Sequence, residues 1–113
     1  MDESKKMHIF IDFIDYCVKF MKIQEAPKII FTTDNSWAKG IRAFGQYNNQ
    51  LKSVTVYINK RNLADCLRTL AHELVHHKQN EEGKLYADAG NTGTEIENEA
   101  HAIAGIIMRN YGK

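Results

Sequence analysis

The chain has 113 residues, 43% of them apolar, with Lys+Arg 15 against Asp+Glu 14. That length holds one modest core, so residues 1–113 read as a single domain. Near-neutral charge argues against a dedicated nucleic-acid binder, which carries a basic face, and no apolar run is long enough to span a membrane.

Met1 to Lys6 are mixed in charge and show no secretory leader pattern, so a cytoplasmic location is expected. Residues 4–23 read as an amphipathic helix, with Phe10, Phe13, Ile14, Cys17, Phe20 and Met21 at helical spacing. Asp12 and Asp15 interrupt that stripe and belong to a solvated face. Ala26 and Pro27 break the pattern, and Lys28–Thr32 predicts a short strand. Trp37 falls in Asp34–Gly40, read as a loop between strands, where it either lines a cleft or anchors the loop. A second strand is expected over residues 41–47, then a turn at Asn48-Asn49-Gln50. Ser53–Ile58 alternates with period two, which points Val54, Val56 and Ile58 to the core and Ser53, Thr55 and Tyr57 outward. This strand is expected at the sheet edge, with free backbone groups for an extended peptide. Cys17 and Cys66 sit among apolar neighbours and read as two free thiols in a reducing compartment.

A helix follows from about Asn62 to Gln79, with Leu63, Leu67, Leu70 and Leu74 as its inward stripe. It contains His72-Glu73-Leu74-Val75-His76, an HExxH motif. Positions i and i+4 stack on one helical face, so both imidazoles can aim at a single metal ion. Glu73, directly after the first His, then lies close enough to take a proton from metal-activated water. The pair faces away from the leucines and is exposed unless another segment covers it. His77 lies on the leucine side and is expected to pack or cap, and His8 to be on the surface. Lys78-Gln79-Asn80-Glu81-Glu82 has the composition of a solvated face. Residues 87–93 mark a loop, and a last helix runs from about Thr94 to Tyr111.

A catalytic zinc needs a third protein ligand. Glu95, Glu97, Glu99 and His101 are the candidates, in the first turns of the last helix. Thr94-x-x-Glu97 and Thr92-x-x-Glu95 are also capping boxes, so a helix starting at Thr94 would occupy Glu97 at its own N-terminus. Starting at Thr92, it would free Glu97 for metal.

His72-Glu73-x-x-His76, followed some twenty residues later by Glu97-x-x-x-His101, resembles the gluzincin zinc metallopeptidases, which include the thermolysin-like enzymes. The small size is similar to that of the minigluzincins. The combination AHELVHH and IENEAHA also resembles small metallopeptidases of tailed bacteriophages, which would put the protein in the host cytoplasm. The resemblance covers residues 53–108. It implies one zinc ion held by His72, His76 and Glu97, with Glu73 as general base and His101 as a polar partner beside the ligands. The family more often has Asp where His101 stands, which leaves three roles open for His101: orienting a ligand, stabilising an oxyanion or binding metal itself. Aligned instead on Asn98-Glu99-Ala100, the resemblance makes Glu99 the third ligand.

The implied fold is α+β, a minimal zincin-like domain. A small twisted sheet packs on the active-site helix, between N-terminal and C-terminal helices. The implied activity is hydrolysis of a peptide or protein substrate through zinc-activated water. Asp65 and His101 are expected to fix imidazole tautomers, and Tyr86 or Arg109 to donate to the oxyanion. The alternative is a catalytically silent, metal-stabilised binding or structural module. An intact Glu73 favours the enzyme, because a structural site needs ligands and no base.

Overall fold

Local capping chemistry sets most of the element boundaries. The structure, a computed structural model, describes residues 3–85 and 93–112. In chain order these form α1 (Glu3–Met21), β1 (Lys28–Thr32), α2 (Asn35–Ile41), β2 (Gly45–Asn48), β3 (Ser53–Tyr57), α3 (Leu63–Glu81) and α4 (Gly93–Asn110). The class is α+β, as the sequence predicts.

At the end of α1, Lys22 adopts a left-handed φ of 57°. The Ile23 N–H then returns to the Val18 carbonyl at 2.9 Å, a Schellman closure. The Asn62 side chain accepts from the Asp65 N–H at 2.8 Å and starts α3. Gly83, with φ of 75°, ends it, and the Lys84 N–H closes back on the Gln79 carbonyl at 2.9 Å.

The three strands lie in the order β1-β3-β2. β1 runs parallel to β3, with Lys28 opposite Ser53, and β2 runs antiparallel to it, with Gly45 opposite Val56. β3 is therefore the central strand and not the expected edge. The parallel pairing decides this, because it brings β1 across the intervening chain to cover the side of β3 left open by β2. β2 is the edge strand that has an antiparallel neighbour.

A second difference concerns Asp34–Gly40. The Asp34 carboxylate accepts from the Ser36 and Trp37 N–H groups at 2.9 and 3.3 Å, an N-cap, so Trp37 lies half-buried on α2 and not in a loop. Arg42, at φ 56°, ends that helix, which takes residue 41 away from the expected second strand. Tyr57 is on the face opposite Val54 and Val56, yet it is buried. Its ring stacks 6.2 Å from Phe44, and its hydroxyl bonds Asn35 of α2.

α3 is the hub, packing against α1, α4, β2 and β3. Phe10, Phe13, Cys17, Val54, Val56, Leu67, Leu70, Leu74, Ala104 and Ile107 form the core around it. Cys17 and Cys66 are buried and free, and burial pushes the Cys17 thiol up to about 12. No helix of the described residues is long and apolar enough to cross a membrane.

Candidate metal centre and hydrolytic site

With its leucines in the core, α3 presents His72 and His76 to the side that α4 covers. α4 seats Ala100, Ala104 and Ile107 inward, each at most 2% exposed. These small residues let the helix lie close to α3, and Glu97, one turn before them, reaches both imidazoles. Its two carboxylate oxygens lie 3.2 Å from His72 Nε2 and 2.8 Å from His76 Nε2. The two ring nitrogens are 3.2 Å apart. One donor atom from each of the three residues lies within 4.8 Å of the others.

Ligand atoms around a tetrahedral zinc stand about 3.3 Å from one another. Two imidazoles and one carboxylate are also the donor types of a catalytic zinc site. The residues present therefore suit such an ion. Glu99, the alternative third ligand, is turned elsewhere: it accepts from Gln79 Nε2 at 2.9 Å and pairs with Lys84 Nζ at 3.4 Å.

Glu73 is 8% exposed and lies beside this cluster. Burial first, and the Glu97 charge second, push its carboxyl up to about 8. The start of β2 presses against it. A Cβ built on Gly45 would meet Thr69 Cγ2 at 2.5 Å and Glu73 Oε2 at 3.0 Å. Only a glycine lets the strand come this close. A cleft lined by Phe44, Gly45, Arg68, Thr69, His72, Glu73 and His101 opens at this point.

His101 is exposed, and its ring lies 4.5 Å from that of His72, tilted by 51°. This is a ring contact; the bond to an imidazole of the cluster comes from Gln79, whose Oε1 is 2.8 Å from His76 Nδ1. Burial, then His76, lowers the His72 imidazole below its ordinary value, with His101 adding to the effect and Glu97 opposing it. Asp65 does not reach the rings, since its carboxylate bonds Asn62 and pairs with Arg68 at the helix start. Arg109 is in the last turn of α4, about 18 Å along the axis from Glu97, too far to serve an oxyanion there. Tyr86 and Thr92 lie outside the described residues.

His77 is packed as expected: it is 1% exposed, with Nε2 2.6 Å from the Glu25 carbonyl and Nδ1 2.8 Å from the Tyr47 hydroxyl. Gln79 and Gly45 are the site residues that sequence reasoning missed. Gln79 stands three residues after His76 on the same helical face, a spacing that points to contact. Its polar neighbours suggested solvent instead, yet it is 1% exposed.

Comparison with protein-family models, with curated proteins and with solved structures finds no match to this chain.

Proposed function

We propose that the protein is a zinc-dependent peptidase, holding one zinc ion through His72, His76 and Glu97. The observation that carries this reading is the convergence of those three donors beside a buried carboxylate, Glu73. Such an ion would act as a Lewis acid, lowering the pKa of water toward neutrality and polarising the substrate carbonyl. Glu73 takes the proton of the attacking water and passes it to the departing amine. Glu73 is 8% exposed, so little water surrounds its carboxylate. An extended substrate would pair along the outer edge of β2, which starts at Gly45 and so runs past Glu73. That edge replaces β3 as the expected peptide-binding strand.

Native mass spectrometry of the purified protein, with and without added zinc, tests the centre. One zinc per chain is expected, lost in Glu97→Ala and retained in Glu99→Ala. Glu73→Gln should keep the zinc and lower peptide hydrolysis by about 100-fold or more. No zinc in the parent protein, even after addition, would sink the reading. Zinc without hydrolysis of any peptide in a mixed-sequence library would leave a metal-stabilised module.

A further inference from the structure

We infer that Gln79 is a positioning residue for the centre: one buried amide fixes the His76 tautomer and docks the helix turn that carries Glu97. The inference rests on the zinc-site reading for its consequence, though its geometry stands without metal. Gln79 Nε2 donates to the Ile96 carbonyl at 3.0 Å and to Glu99 Oε1 at 2.9 Å. Both partners are acceptors only, so they consume both amide protons and leave Oε1 facing His76. A carbonyl oxygen 2.8 Å from Nδ1 requires that Nδ1 carry the proton. The Nε2 lone pair of a neutral His76 is thereby turned toward His72 and Glu97, the direction a metal ion requires.

The same amide joins two helices. Ile96 and Glu99 are in α4 on either side of Glu97, while His76 and Gln79 are in α3. Losing the amide would free the His76 ring to take either tautomer and loosen the turn that carries Glu97. Glu99, with Lys84 beside it, acts one bond further out by holding the amide in its orientation. A glutamine held between two acceptors and an imidazole is thus a relay, Glu99 to Gln79 to His76, in which the neutral amide tempers the carboxylate's pull on the ring.

The test measures the tautomer first, in metal-free protein, by imidazole nitrogen NMR. The parent should show His76 protonated at Nδ1, and Gln79→Met, which keeps the volume, should show a mixture. Zinc affinity, read by competition with a chromogenic chelator, should fall about 10- to 100-fold in Gln79→Met, the range for partners of metal-bound histidines. Gln79→Glu sets two carboxylates together and should lose zinc binding similarly. Adding Glu99→Gln to it restores a donor to that pair and should recover most of the affinity, which a mere packing role would not predict. If Gln79→Met fails to fold, Gln79→Ala, which leaves water in place of the amide, still tests the assignment: with no fixed acceptor at Nδ1 it should yield mixed tautomers. Nδ1 protonation unchanged in both Gln79→Met and Gln79→Ala, or a parent His76 protonated at Nε2, would overturn the inference. Correct tautomers in a parent that binds no zinc would instead refute the peptidase reading and leave this assignment standing.

Discussion

Gly45 shows how one missing side chain shapes the site. A methyl group there would meet Thr69 Cγ2 at 2.5 Å, closer than real contacts permit, and Glu73 Oε2 at 3.0 Å. Thr69 has little room to yield, because its hydroxyl is held by Arg61 Nη2 at 2.8 Å. Gly45→Ala should therefore cost about 1–3 kcal/mol in stability, as overpacking does, and should displace the Glu73 carboxylate. Hydrolysis should fall at least tenfold with zinc stoichiometry unchanged. Adding Thr69→Ser removes the offending methyl and keeps the hydroxyl for Arg61. Denaturant unfolding of the double variant should recover most of the loss; if it recovers none, the contact with Thr69 is not what confines position 45.

At the scale of elements, α3 holds the start of the sheet as well as the site. Glu81, in its last turn, accepts from the Gln24 and Glu25 N–H groups at 3.1 and 2.9 Å, just before β1. Burial acts to raise its carboxyl, but the Glu25 and Gln24 backbone bonds, with His77 and Lys78, outweigh it and hold the group below its ordinary value. A carboxyl depressed in the folded state contributes stability above its unfolded value near 4.3, and that contribution is lost as pH falls through the folded value. Glu81→Gln should thus destabilise the protein at neutral pH, and the difference should shrink below about pH 4. Equal destabilisation at pH 7 and pH 3 would contradict this. The long helices were legible because Phe10, Phe13 and Cys17, or Leu67, Leu70 and Leu74, repeat at helical spacing over many turns. Their periodicity also placed His72 and His76 on a common face. α2 was not legible, because seven residues give too little periodicity and only the Asp34 cap marks its start. Nor was the centrality of β3, which depends on a parallel pairing that no local pattern encodes. Gln79 reads as a surface residue until α4 docks over it, and that docking is a tertiary event.

For the molecule as a whole, the proposed ion joins elements far apart in sequence. His72 and His76 come from α3 and Glu97 from α4, the helix that covers the cluster. Domains of this size have little stability to spare. An ion bound by the folded state alone stabilises it by mass action, by about 2.7 kcal/mol at a free concentration 100 times its dissociation constant. For a chain of about a hundred residues that is a rise in Tm of roughly 10 °C. Zinc should therefore raise the melting temperature in a saturable way, and a chelator should reverse the rise. Magnesium should do little, because it prefers an all-oxygen shell. Glu97→Ala removes the α4 donor and should melt at the same temperature with and without zinc. A rise of equal size in Glu97→Ala would mean that zinc stabilises the fold without bridging the two helices, and the three-donor centre would have to be given up.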